Sequence, residues 1–147
     1  MPSSFCQIAV HIVFSTKEWN PWLISLHREK LNQYISGVIS NIKGETIIIN
    51  GTDDHIHILC LLPKEMSIAE FVRTIKANSS KWYRREYNPK FNWQEGYAAF
   101  SVGWSNLEQV KSYIKNQQKH HQKRTGEDEL EGMMAAFWKP DTLQPVN

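Results

Sequence analysis

The chain has only two cysteines, Cys6 and Cys60, and no CxxC pair. That excludes a disulfide-stapled scaffold and a cysteine zinc centre. Both lie in apolar, strand-like runs, as expected of free buried thiols in a reducing compartment. Charge of one sign is also lacking: 17 Lys and Arg face 15 Asp and Glu, a formal net charge of +2. Any affinity for nucleic acid must therefore come from local clusters rather than bulk charge. No apolar run approaches the length of a membrane span. The N-terminus lacks a charged segment followed by an apolar stretch, so no secretory signal is read and a cytoplasmic location is expected. What is present is ordinary for a globular protein: 147 residues, 41% of them hydrophobic, enough for one domain with a real core.

Hydrophobic periodicity orders the chain. Phe5 to Ser15 reads as a β-strand, and Lys17 to Pro21 as a turn. His27 to Ile42 carries Leu31, Tyr34, Ile35, Val38, Ile39 and Ile42 at helical spacing and stops before Gly44. Glu45 to Asn50 is a second strand, Gly51 to Asp54 a turn, and a third strand runs from His55 to Pro63. Ser67, with Glu70 three residues on, opens a helix to about Tyr83. Gly96 to Gly103 reads as a fourth strand, and Asn106 caps a last helix to about Gln122. From Thr125 the chain is acidic, then apolar around Phe137-Trp138, then proline-broken. The first six elements match the α+β ferredoxin-like pattern βαββαβ, with an additional C-terminal helix. In that arrangement the first and third strands are central neighbours and two helices cover one face of the sheet. Ile56, Ile58 and Cys60 would face those helices.

Two motifs carry chemistry. Side chains alternate along a strand, so His55 and His57 point the same way, toward the opposite face. Alone, such a pair also occurs as polar decoration of an open sheet. Tyr113 and Gln117, four apart on the last helix, share one edge. Two imidazoles and an amide oxygen can hold a divalent metal, and a nearby tyrosine can attack a phosphate. Together they point to nucleophilic phosphoryl transfer on a nucleic acid. Leu107, Val110 and Ile114 form the packed stripe of the same helix, while Lys111, Lys115, Lys119 and Lys123 form a basic row. Arg73, Lys76, Lys81, Arg84 and Arg85, interleaved with Trp82 and Tyr83, form a second basic feature. It suits either phosphates and unpaired bases or an ordinary amphipathic helix. His11 shares a face with Ala9 and Val13 and lies near the histidine pair if the first and third strands are neighbours. Asp53 and Asp54 are turn residues, and a carboxylate there can orient a histidine ring. His120 and His121 end the helix, where imidazolium suits the helix dipole.

These segments resemble the HUH single-tyrosine transposases of insertion sequences that move as single-stranded DNA. The matching runs are Val10-His11-Ile12-Val13-Phe14, Asp54-His55-Ile56-His57-Ile58-Leu59, Ile75-Lys76-Ala77-Asn78-Ser79-Ser80-Lys81, Trp93 to Val102 (WQEGYAAFSV) and Tyr113-Ile114-Lys115-Asn116-Gln117, followed by His120-His121. They cover about residues 5 to 124 in order, within a single transposase domain of residues 1–147. The tail, 125–147, departs from the family's acidic-aromatic pattern. The resemblance implies that Tyr113 is the nucleophile and that His55, His57 and Gln117 ligate Mg2+ or Mn2+; His11 and Asp54, by their placement alone, are candidate outer partners of these histidines or plain structural residues. The clustering of Arg73, Lys76, Lys81, Arg84 and Arg85, and the row with Lys111 and Lys115, makes these the candidate DNA contacts. The resemblance adds the kind of DNA. It also implies a homodimer that recognises single-stranded DNA hairpins, in which the tyrosine helix of one subunit can complete the other's site. Two alternatives stay open: an HUH nicking endonuclease with a housekeeping role, and a hairpin nucleic-acid binder with a decayed site.

Overall fold

The computed structural model describes residues 3–117 and 125–137. Its elements are β1 (Ala9–Ser15), α1 (Ser25–Asn41), β2 (Glu45–Gly51), β3 (His55–Leu61), α2 (Ile68–Glu86), β4 (Ala98–Val102), α3 (Leu107–Lys115) and α4 (Gly126–Phe137). Single 3-10 turns, Lys17–Trp19 and Trp104–Asn106, precede α1 and α3. The four strands form one antiparallel sheet in the order β2-β3-β1-β4, with β1 and β3 central as the ferredoxin-like pattern requires. Among the described residues no helix is long and apolar enough to cross a membrane.

The alternation of β1 and β3 decides the layers. Val10, Ile12 and Phe14 join Ile56, Ile58 and Cys60 in a core closed by Leu31, Ile35 and Ile39 of α1 and Phe71, Val72 and Ile75 of α2. Each such side chain, taken fully out of water, contributes about 1.5–3 kcal/mol. Because the pleat has a period of two, the same alternation sends His55, His57 and His11 to the other face. Ser67 caps α2 by accepting the Glu70 N–H at 3.2 Å.

Several expected boundaries move. β1 begins at Ala9, so Cys6 lies before the strand and is exposed; only Cys60 is the expected buried thiol, its pKa pushed up by burial to about 12. β4 is shorter than expected by two residues at its start and one at its end. Asn106 forms no side-chain cap, because the 3-10 turn occupies the entry to α3. That helix ends at Lys115, as Asn116 leaves helical geometry (φ −98°, ψ 21°), and the expected helix end near Gln122 lies outside the described residues. His120 and His121, Lys119, Lys123 and Trp138 lie outside the described residues.

Candidate active site

The β2–β3 hairpin places the histidine pair. Its turn is tight at Gly51, where a Cβ would come within 2.4 Å of the His55 carbonyl oxygen, so a side chain there is excluded. The carbonyls of Asp53 and Asp54 accept from Leu23 N (2.8 Å) and Thr16 N (2.9 Å), which fixes the turn to the loop after β1. His55 and His57 then emerge on the open face, each 1% exposed. Pairing of His11 with Leu59 and of Val13 with His57 makes His11 a diagonal neighbour of His57. Their rings stack at 5.1 Å between centroids, and His11 Nε2 lies 2.8 Å from His57 Nδ1.

Hydrogen bonds orient both imidazoles. Asp54 Oδ1 lies 2.7 Å from His55 Nδ1, and Thr52 Oγ1 lies 3.0 Å from it while donating to Asp54 Oδ1 at 3.2 Å. A carboxylate cannot donate, so the His55 Nδ1 proton faces Asp54 and Nε2 faces the site. His11 likewise holds Nδ1 of His57 and leaves its Nε2 toward the site. This is the arrangement by which outer partners fix the ring orientation of metal-ligating histidines.

α3 crosses the open face and is anchored there by Asn50, whose Nδ2 donates to the carbonyls of Ile114 (3.0 Å) and Lys115 (3.2 Å). Ile114 is fully buried beneath the helix. Tyr113 consequently reaches His57 of its own chain, with ring centroids 6.0 Å apart, and Gln117 is fully buried beside it. Sequence reasoning therefore singled out four residues that the fold brings together: His55, His57, Tyr113 and Gln117.

It missed a fifth. The acidic tail is not an appendage, because its first helix, α4, delivers Glu129 into the middle of the site. Glu129 Oε1 accepts hydrogen bonds from the Tyr113 hydroxyl and from Gln117 Nε2 (3.1 Å) and lies 3.4 Å from His57 Nε2. Its Oε2 lies 3.5 Å from His55 Nε2. α4 can approach this closely because it begins with Gly126. A Cβ there would lie 2.7 Å from His55 Nδ1 and 2.8 Å from Trp19 Cζ3. The glycine before an acidic run was the one available signal, and it did not distinguish Glu129 from Glu127 or Asp128.

The site is strongly polarised. Burial alone would raise the Glu129 pKa, but hydrogen bonds from His55, His57 and Tyr113 hold it well below the usual carboxylate range. Burial lowers the pKa of His55, yet hydrogen bonds to Asp54 and Glu129 outweigh it and bring the ring to about 8. His11 is pushed down to about 3, by burial first and then by His57, with Glu129 opposing, so it is neutral at physiological pH. Among the described residues, His55, His57 and Glu129 each offer a ligand atom within 4.8 Å of the others, all three buried. Gln117 Oε1, also buried, makes no hydrogen bond among the described residues. Two imidazole nitrogens, a carboxylate and an amide oxygen form a donor set suited to a divalent cation.

The basic residues divide. Lys111 and Lys115 are exposed on α3, the helix that carries Tyr113. Arg73, Lys76, Lys81, Arg84 and Arg85 lie on α2, behind the sheet from the histidines, and are not brought to the site. Lys76 Nζ instead donates to the carbonyls of Gln94 (2.6 Å) and Gly96 (2.7 Å), and Arg84 Nη1 donates to Phe91 O (3.2 Å). These two hold the segment leading into β4. Arg85 Nε meets Glu86 at 3.3 Å on the surface. Trp82 is half-buried and stacks on Tyr34 at 4.7 Å.

Residues 4–117 match the family model described as "Transposase IS200 like". No curated protein matches the chain. Among solved structures, it is similar to a protein of Deinococcus radiodurans R1 assigned as a transposase, with a TM-score of 0.65 and 18% identity over 80% of this chain and 95% of that one. A REP-associated tyrosine transposase bound to a REP hairpin is similar at a TM-score of 0.62 and 14% identity, over 82% of this chain and 73% of that one. These likenesses carry the fold, and the family match covers every strand, the first three helices, both site histidines and Tyr113. The chain belongs to the IS200-like transposases.

Proposed function

We propose that this protein cuts and rejoins single-stranded DNA at hairpin-marked ends through a 5′-phosphotyrosine on Tyr113. The observation that carries the reading is the convergence of His55 and His57 from β3, Tyr113 from α3, Gln117 just beyond it and Glu129 from α4 on one point. In the reaction, Tyr113 Oη bonds to the scissile phosphorus as its proton passes to Glu129, the P–O3′ bond breaks, and a proton from Glu129 or water reaches the departing oxygen, which leaves as a free 3′ hydroxyl. The energy of the phosphodiester is kept in the phosphotyrosine, so attack by a 3′ hydroxyl reverses the step and rejoins strands. The Tyr113 hydroxyl already donates to Glu129 Oε1, so its proton has an acceptor at the moment of attack.

His55 Nε2, His57 Nε2, Gln117 Oε1 and Glu129 would hold Mg2+ or Mn2+. When bound, the ion supplies Lewis-acid polarisation of the phosphate and stabilises charge developing on it. Glu129 contributes the anionic ligand that the His/His/Gln set alone lacks, and so favours a hard cation in an otherwise neutral shell. His11 and Asp54 act by orienting the ligand rings.

For DNA contacts, the reading favours Lys111 and Lys115, which share a helix with Tyr113. Arg73, Lys81 and Arg85 supply a further surface behind the sheet, and Lys76 and Arg84 serve it by shaping the Gln94–Gly96 segment. The partner is a hairpin-bearing single strand, the setting is the cytoplasm, and the working unit is a homodimer. Transposition is favoured over housekeeping nicking by the family match, and a decayed binder is disfavoured by the intact five-residue site.

The test is incubation with a labelled hairpin oligonucleotide, taken from the DNA flanking the gene, and Mg2+ or Mn2+. A covalent protein–DNA adduct is expected from the wild type. Tyr113→Phe should form none while binding the hairpin nearly as well, since phosphate contacts lie elsewhere. An adduct at wild-type yield in that variant would rule Tyr113 out.

A further inference from the structure

Next to the nucleophile lies a cavity of about 560 Å3 that the phosphate chemistry does not use, between β4, α3 and α4. Its floor is the open face of the sheet. Phe100 pairs directly with His11 across β1 and β4, and Val102 pairs with Ala9, so these side chains share the histidine face. The His11 and Phe100 rings lie 6.0 Å apart, tilted by 45°. Val110 of α3 and Met133 of α4 form apolar walls, the Gln109 amide stands at the lining, and Tyr113 and Glu129 form one end.

We propose that this cavity receives an unpaired nucleobase of the nucleotide adjoining the cleaved phosphate. The inference rests on the reading of Tyr113 as the nucleophile only for which chemical group is delivered there. With the phosphate at Tyr113, which forms one end of the cavity, the adjoining nucleotide of the same strand is the part of the substrate held nearest to it. Of the parts of a nucleotide, the base alone has flat apolar faces and a polar edge. The Phe100 ring, half-buried at the floor, offers a stacking surface, which tolerates any base. Val110 and Met133 exclude water from its faces. The Gln109 amide carries both a donor and an acceptor, the pair needed to meet a base edge. A base in a duplex is paired and stacked and cannot enter. The cavity therefore selects the unpaired strand beside the hairpin rather than its stem, and selects it at the step of cutting.

The test uses protein labelled at its Val and Met methyl groups and titrated, by NMR, with dAMP, dCMP, dGMP, dTMP and 2-deoxyribose 5-phosphate. At least one nucleotide should shift the Val102, Val110 and Met133 methyls saturably, and the sugar phosphate should not. Phe100→Ala should raise the half-saturating concentration about tenfold or more. Met133→Trp, which fills the cavity from α4 without altering the sheet, should abolish the shifts and keeps the test decisive if the Phe100 variant fails to fold. No nucleotide-dependent shift beyond that of the sugar phosphate would overturn the proposal, as would unchanged binding in Met133→Trp. The covalent-adduct assay run beside it separates the two readings. An adduct without base-dependent shifts overturns the pocket alone, and shifts without an adduct overturn only the role of Tyr113.

Discussion

The Tyr113 hydroxyl donates a hydrogen bond to the carboxylate of Glu129, sixteen residues further along the chain and on a different helix. That contact ties α4 to α3 beside the histidine pair. It also gives the proposed nucleophile a proton acceptor that is ionised throughout the physiological pH range, because three hydrogen-bond donors hold the Glu129 pKa down despite burial.

Glu129→Gln keeps the shape of the side chain and removes both the charge and the proton acceptor. Adduct formation should slow by about a hundredfold or more, within the range general-base removal costs. Single-turnover cleavage at saturating metal measures it. A wild-type rate there would remove Glu129 from the reaction and leave it a structural contact.

His57→Ala and Gln117→Ala should each weaken metal binding and slow cleavage by orders of magnitude, since each removes one donor from the shared shell. His11→Phe keeps the ring stack but not the hydrogen bond to His57 Nδ1. It should cost about 10–100-fold in metal affinity. Manganese titration by isothermal calorimetry distinguishes the outcomes, and an affinity unchanged in His57→Ala would place the ion elsewhere.

Gly126→Ala adds a methyl group where His55 and Trp19 already stand, both held in place by neighbours. Overpacking of this kind costs about 1–3 kcal/mol. α4 should lift, carrying Glu129 out of the site, so urea unfolding and metal affinity should both suffer. Equal unfolding midpoints for the variant and the wild type would show that α4 does not sit against His55.

Within one chain, Asn50 anchors α3 to its own sheet and Tyr113 already meets its own His57. Mixing Tyr113→Phe protein with His57→Ala protein should therefore recover no cleavage, because every site keeps a defect. Recovery after confirmed subunit exchange would mean that α3 is swapped between partners, as the family resemblance implies.

The period of two in β1 and β3 was enough to assign the layers, to send His11, His55 and His57 to one face, and to make the two strands neighbours. Those features are local alternation plus a known connection rule, so they are legible without coordinates. The grouping of Tyr113 with Gln117 was legible from their spacing, although α3 ends between them and Gln117 follows the non-helical Asn116. Glu129 was not. Three consecutive acidic residues, Glu127, Asp128 and Glu129, look alike in sequence, and only the docking of α4 through Gly126 over His55 selects the one that enters. Lys76 and Arg84 read as free cations in a basic row, yet backbone carbonyls of the Gln94–Gly96 segment and Phe91 claim them. Asn50 read as the last residue of a strand, yet it holds the helix that carries Tyr113. Which side chains face which layer follows from local periodicity, because periodicity is a property of neighbours along the chain. Which charges converge is a matter of long-range packing, because it depends on where a helix lands once its apolar side has found cover.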